Sequence, residues 1–181
     1  TSPYQDYFQH HRYHSCDRYS GNGVTFVADL HQLPIRDQVY DAIICTQVLE
    51  HVQYPKKVLD ELYRVLRPGG SIFLTAPQGW GLHYEPHHYF NFTRYGLQLL
   101  FKNAGFQDIS INERGGGLWY LGKRIRSLVP YLYRQYRGIP RLTIFVFYLL
   151  SAPLFIYAFP LVFFYLDVLD KKKGYTLGYA C

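Results

Sequence analysis

Asp41-Ala42-Ile43-Ile44-Cys45-Thr46-Gln47-Val48-Leu49-Glu50-His51-Val52, followed by a helix-like segment and then Leu66-Arg67-Pro68-Gly69-Gly70, is the stretch that decides the fold. A short Ile-rich apolar run that ends abruptly in polar residues reads as a buried strand. Tyr54-Pro55 opens a helix, because Pro in the first turn lacks only an N–H that would be unpaired there anyway. Val58, Leu59, Leu62, Val65 and Leu66 recur at helical spacing and form one apolar face. Arg67-Pro68-Gly69-Gly70 is expected to stop that helix, and Ser71-Ile72-Phe73-Leu74-Thr75-Ala76 to form a second strand. A strand–helix–strand unit implies an α/β sheet, in which ligands sit beyond the carboxyl ends of the strands. Thr46, Gln47, Glu50 and His51 lie at such an end.

Upstream, Tyr13 to Cys16 predicts a short strand ending at Asp17, and Val24-Thr25-Phe26-Val27-Ala28 a second ending at Asp29. Gly21-Asn22-Gly23 supplies the turn ahead of it. Two strands thus end in an acid and a third in Cys45-Thr46-Gln47. Parallel strands place their carboxyl ends on one edge, so Asp17, Asp29 and Thr46 are expected to line one crevice. His10, His11 and His14 lack regular ligand spacing or an accompanying acid, and no metal site is expected from them. Downstream, residues 77–93 form a long loop over the same edge, carrying His83, Glu85, His87, His88 and many aromatic rings. Thr93 is placed to cap a helix reaching Phe101, Gly105 to terminate it, and Phe106 to Asn112 to form another strand.

The order Val27-Ala28-Asp29-Leu30, Leu33-Pro34, Tyr40 to Cys45, Val48-Leu49-Glu50-His51-Val52 and Leu66 to Gly70 resembles the class I S-adenosylmethionine-dependent methyltransferases of the type 11 group. The resemblance covers residues 1–112, with closure at 175–181. It implies a Rossmann-like α/β fold with a seven-stranded methyltransferase sheet. By the family's pattern, Asp17 would bind the cofactor ribose, Asp29 with Leu30 the adenine, and Cys45, Thr46 and Gln47 would lie at the methionine end. The family's glycine-rich loop after its first strand is absent, and Thr1-Ser2-Pro3-Tyr4 resembles the residues just past that loop. The chain has no Met and opens on Thr1. These features predict a fragment lacking the family's first strand, which alone binds S-adenosylmethionine poorly and is inactive. If the acceptor needs a base, His87, His88 and His51 are candidates, with Glu50 as an orienting partner. Cys45 reads as a packing residue rather than a nucleophile.

The last third differs in character. The chain has 19 Tyr and 13 Phe and a net charge of +6. Its aromatic excess lies mostly in that third, where Lys and Arg cluster from Lys123 to Arg141 and at Lys171 to Lys173. Basic clusters beside an uncharged apolar run, Leu142 to Leu166, favour an anionic membrane surface over nucleic acid. A basic amphipathic helix broken at Pro130 is expected over 118–141. Pro153 and Pro160 are expected to break the apolar run into a re-entrant or interfacial hairpin. Cys16, Cys45 and Cys181 form no disulfide framework, so a reducing, cytosolic setting is expected, with peripheral or monotopic attachment to the inner membrane face.

The resulting division is a methyltransferase core at 1–114, a basic and hydrophobic helical insertion at 115–174 between the family's sixth and seventh strands, and the final strand at 175–181. The expected function is methyl transfer from S-adenosylmethionine to a small-molecule, lipid-linked or cell-envelope glycan acceptor. The rivals are a non-enzymatic membrane-anchored module with a degenerate methyltransferase fold and, more remotely, a dehydrogenase on a related sheet. The pattern leaves the oligomeric state open.

Overall fold

The computed structural model describes residues 4–181, so Thr1, Ser2 and Pro3 of the expected entry segment lie outside it. Two short strands come first, β1 (Cys16–Asp17) and β2 (Phe26–Val27), paired in parallel. Next come β3 (Tyr40–Thr46), helix α1 (Pro55–Val65), β4 (Leu66–Pro77) and helix α2 (Arg94–Asn103). Beyond β5 (Asn112–Glu113) lie three helices: α3 (Gly117–Gln135), α4 (Ile139–Ala152) and α5 (Phe159–Leu166). A π-helical turn at Pro153–Ala158 joins the last two. Strand β6 (Gly178–Ala180) closes the element order.

The second sheet runs β3-β4-β6-β5. β3 and β4 are parallel, with α1 as their crossover, and β6 lies antiparallel between β4 and β5. The expected antiparallel final strand is therefore found, although it flanks β4 as well as β5. The expected single sheet is divided. Among the described residues no strand bridges β1 and β3, so the β1-β2 ladder and the four-stranded ladder are not hydrogen-bonded to each other. They meet at the strand starts, where His14 Nδ1 lies 3.1 Å from the Tyr40 hydroxyl.

Helix α1 forms as its periodicity predicts. Pro55 occupies the first turn, and Val58, Leu59, Leu62 and Val65 are all buried. They cover the sheet face that carries Ile43, Cys45, Ile72 and Leu74. On the opposite face Phe73 is 50% exposed, so this sheet is covered mainly from one side. Helix α2 adds Leu97 and Phe101 to the same core. The Thr93 hydroxyl accepts the Gly96 amide at 3.0 Å, and Gly105 takes φ +97°, so both predicted ends of α2 form.

Three local expectations are corrected. Arg67 to Gly70 does not separate α1 from β4; the ladder begins at Leu66, which pairs with Tyr40, and a bulge between Tyr40 and Ala42 absorbs the irregularity. Gly69 takes φ +77°, and a Cβ on Gly70 would lie 3.0 Å from the Asp41 carbonyl. Glycine thus lets this kinked segment bulge out between the Tyr40–Leu66 and Ala42–Ser71 pairs while the strand continues. The strand expected over Phe106 to Asn112 is confined to Asn112–Glu113. Helix α3 continues through Pro130 and ends at Gln135.

The helices between β5 and β6 fold back on each other. Trp119 meets Phe164 edge-on with ring centroids 5.7 Å apart, and Arg141 lies over Tyr133. Asp167 accepts the backbone amides of Gly116 and Trp119, and Asp170 accepts that of Gly117. These carboxylates satisfy amides left unpaired at the start of α3 and complement its dipole. The Gly117 amide, with that of Lys173, holds the Asp170 carboxyl below its usual range. No single helix among the described residues is long and apolar enough to cross a membrane. Pro140–Ala152 and Ile156–Leu169 reach that length and composition only together, bent by 57°.

Candidate functional site

The carboxyl end of β3 turns sharply. Gln47 adopts φ +54°, donates its amide to the Thr75 carbonyl at 3.0 Å, and donates Nε2 to the Thr75 hydroxyl at 3.1 Å. The ends of β3 and β4 are thereby locked together. Thr46 shares a 2.9 Å hydrogen bond with the Tyr4 hydroxyl, which draws the N-terminal segment onto the same edge. Cys45 is buried in the core, and burial pushes its thiol up to about 12. A thiol so held is not a nucleophile near neutrality.

A short 3₁₀ turn, Leu49–His51, comes after β3 and sends Leu49 and Glu50 inward. Glu50 is fully buried, and burial raises its carboxyl above the usual range. Neither carboxylate oxygen has a hydrogen-bond partner among the described residues. Its backbone carbonyl accepts the Tyr89 amide at 2.8 Å, which ties the long loop after β4 to this turn. The loop thereby brings its histidines over the strand ends. His51 Nδ1 donates to the His87 carbonyl at 2.7 Å. The rings of His51 and His83 are 4.9 Å apart, and those of His83 and His88 are 4.3 Å apart. His87 Nδ1 faces the Tyr89 hydroxyl at 3.1 Å. His88 is held below its usual range, first by burial and then by His83 and His51.

Asp17 and Asp29 stand at the ends of the paired strands β1 and β2. Asp17 accepts the Tyr19 amide at 3.0 Å. Asp29 accepts the His31 amide at 2.9 Å and faces His31 Nδ1 at 2.6 Å; that amide and then the ring hold its carboxyl below the usual range. Both acids are largely exposed, and Leu30 beside Asp29 is half-buried. A surface groove beneath the connector 32–37 lies at the opposite edge, near the start of β3, and is spanned by Arg64 with Glu61 and Asp37.

The sequence-predicted residues thus fall into two groups. Thr46, Gln47, His51, His87 and His88 gather at the ends of β3 and β4, with Cys45 beneath them. Asp17, Asp29 and Leu30 sit on the β1-β2 pair. His83 was not singled out by the sequence, because a loop gives no periodicity by which to place it beside Glu50 and His51.

A methyltransferase-domain family model matches residues 6–74, the span from ahead of the first strand pair to the middle of β4. Thiol S-methyltransferase TMT1B of Mus musculus is 49% identical over 49 residues, covering 25% of this chain and 20% of that protein. The ubiquinone/menaquinone biosynthesis C-methyltransferase UbiE of Desulfotalea psychrophila is 37% identical over 86 residues, covering 46% of this chain and 34% of that protein. Over this segment the chain is similar to methyltransferase domains. The chain spans a fifth to a third of the length of these two methyltransferase relatives. A solved structure, Burkholderia thailandensis 1,6-didemethyltoxoflavin-N1-methyltransferase with bound 1,6-didemethyltoxoflavin and S-adenosylhomocysteine, superposes with a TM-score of 0.53 at 17% identity. The match covers 62% of this chain and 59% of that one, and it supports a shared methyltransferase fold.

Proposed function

We propose that this chain contributes the acidic half of a cofactor cradle and the acceptor side of an S-adenosylmethionine-dependent methyltransferase acting on small molecules. The observation that carries the reading is the locked strand end at Thr46-Gln47, roofed by the histidine loop, inside the segment that matches the methyltransferase domain. The donor set suits the cofactor. Asp17 is an exposed carboxylate able to accept ribose hydroxyls, and Asp29 with Leu30 offers a polar and an apolar contact for adenine. Thr46 and Gln47 bring backbone and side-chain polar groups to the strand edge where the methionine portion would lie. When bound, the cofactor supplies a methyl group activated on a sulfonium.

In-line displacement asks the protein mainly for alignment and exclusion of water. The loop 77–93 is placed to do both, because its Tyr89 amide anchors it to Glu50. His51, His87 and His88 are the candidate groups to take a proton from a hydroxyl, thiol or acidic carbon. The relatives are by name a thiol S-methyltransferase and a quinone-biosynthesis C-methyltransferase; we extend that breadth of acceptor, including lipid-linked ones, to this protein as part of the proposal. The glycine-rich half of the family's cradle is not among these residues.

The test is transfer of isotope-labelled methyl from S-adenosylmethionine to thiols, hydroquinones and a membrane extract by the protein. Asp17→Ala is expected to weaken cofactor binding about tenfold or more, the loss of charge-assisted hydrogen bonds. No transfer to any acceptor, together with no cofactor binding, would overturn the reading in favour of a non-enzymatic module.

We also infer that α4 and α5 rest on the cytoplasmic face of an anionic membrane. Leu142, Leu150, Tyr157 and Val168 are 62%, 78%, 72% and 79% exposed, and Lys171 to Lys173 stand beside them in the chain. Large contiguous apolar surface is unusual on a monomer. Co-sedimentation with anionic vesicles but not with neutral ones, weakened by salt, is the expected result; equal or absent sedimentation with both counts against it.

A further inference from the structure

We propose that Glu50, His51 and His83 form a binding site for a single divalent transition-metal ion of the zinc type. One ligand atom from each lies within 4.8 Å of the others. Three further observations support the assignment. Glu50 is fully buried, both its carboxylate oxygens lack a hydrogen-bond partner among the described residues, and His51 Nε2 lies 3.9 Å away. A buried carboxylate is ordinarily paired, protonated or bound to a metal. The two imidazoles are held in the tautomer a cation requires. His51 Nδ1 donates to the His87 carbonyl at 2.7 Å, and His83 Nδ1 to the Gly81 carbonyl at 2.9 Å. Each ring therefore keeps its Nε2 lone pair free, and an Nδ1–H bound to a backbone carbonyl is the usual outer support of a metal-ligating histidine.

The three ligands come from two segments already clamped together through the Glu50 carbonyl and the Tyr89 amide. Zinc bonds to nitrogen and oxygen are about 2.0–2.2 Å, which puts tetrahedral donors roughly 3.4 Å apart. The spacing of up to 4.8 Å must close by about 1.4 Å at most, within reach of side-chain rotation. Two imidazoles and one carboxylate, with a fourth position open, make the donor set of a catalytic rather than a purely structural zinc. The open position lies at the strand ends, where the cation would orient an acceptor oxygen or sulfur and stabilise its deprotonated form. That role rests on the methyl-transfer reading; binding of the ion does not.

The experiment strips the protein with chelator, dialyses it, and titrates it with Zn2+ by calorimetry and with Co2+ by visible absorption. No acceptor or cofactor is present. One equivalent is expected to bind, with an absorption band of tetrahedral Co2+. His83→Ala, a change in a half-exposed loop residue, should weaken binding about tenfold or more, and Glu50→Gln should do the same while keeping side-chain volume. His10→Ala/His11→Ala should change nothing. Circular dichroism of each variant separates loss of ligand from loss of fold. Absence of stoichiometric binding, or binding that survives both His83→Ala and Glu50→Gln, would overturn the assignment. Binding without methyl transfer would leave the site standing and remove only its proposed role.

Discussion

Arg64 shows how one side chain can hold a loop that has little secondary structure. Its guanidinium donates to Glu61 at 2.8 Å, to Asp37 at 2.6 Å, and to the carbonyls of Leu33 and Ile35. Glu61 in turn accepts the Leu33 amide at 2.9 Å. The Arg64 hydrogen bond is the main reason the Glu61 carboxyl is held below its usual range. A depressed folded pKa stabilises the fold above the unfolded value of about 4.3, and this contribution is lost as pH falls through the folded pKa. Glu61→Gln is therefore expected to cost about 1 kcal/mol near neutrality and to flatten the loss of stability below about pH 4. Urea denaturation at neutral and acid pH measures both. At this scale the sequence was informative where chemistry is local. Thr93 and Gly105 announce the ends of a helix, since capping and positive φ depend on near neighbours. It was silent where partners are distant: nothing within 77–93 says that His83 will meet His51.

Elements report their neighbours as much as their own residues. The apolar positions of α1 were readable because a helix repeats every few residues, and its face meets the sheet as expected. Leu59→Ala, which empties a fully buried position, should cost about 2–5 kcal/mol in denaturant titration. Removing the α2 cap with Thr93→Ala should cost about 1 kcal/mol in the same assay. Strand β4 was harder to bound. Pro68, Gly69 and Gly70 are breakers by local propensity and do bulge out of the pairing, yet β3 pairs with β4 on both sides of them, at Leu66 and again from Ser71. Gly70→Ala would bring a Cβ within 2.9 Å of the Arg67 carbonyl and 3.0 Å of the Asp41 carbonyl. It is expected to lower the thermal midpoint more than an exposed Gly→Ala change such as Gly174→Ala. Pro130 gives the opposite case. By local propensity it is a helix breaker, but α3 runs on, since its packing extends across the proline, with Trp119 against Phe164 on one side and Tyr133 against Phe145 on the other.

At the scale of the whole molecule, the helices between β5 and β6 are tethered at their base by Asp167 and Asp170, which grip the start of α3. Asp167→Ala frees the Gly116 and Trp119 amides together and should destabilise this unit by about 1–2 kcal/mol. Faster amide exchange in α3 than in α1 would be its signature. Arg124 provides a second anchor, donating to the Gly79 carbonyl at the root of the histidine loop. The sequence announced that this region is apolar and basic, but its tethering could not be read, because the carboxylates lie some fifty positions from the amides they cap.

The position of β6 has a consequence for the order in which the protein is made. Its two neighbours in the sheet, β4 and β5, leave the ribosome well before it, with three helices synthesised in between. Until residues 178–180 emerge, the edge of β4 beside Leu74 and Ala76 is bare, and β5 has no strand to join. The nascent chain thus carries an open template for pairing during the interval in which its most water-averse segment is exposed. Stalled or prematurely terminated chains are the forms of this protein that should depend most on chaperones.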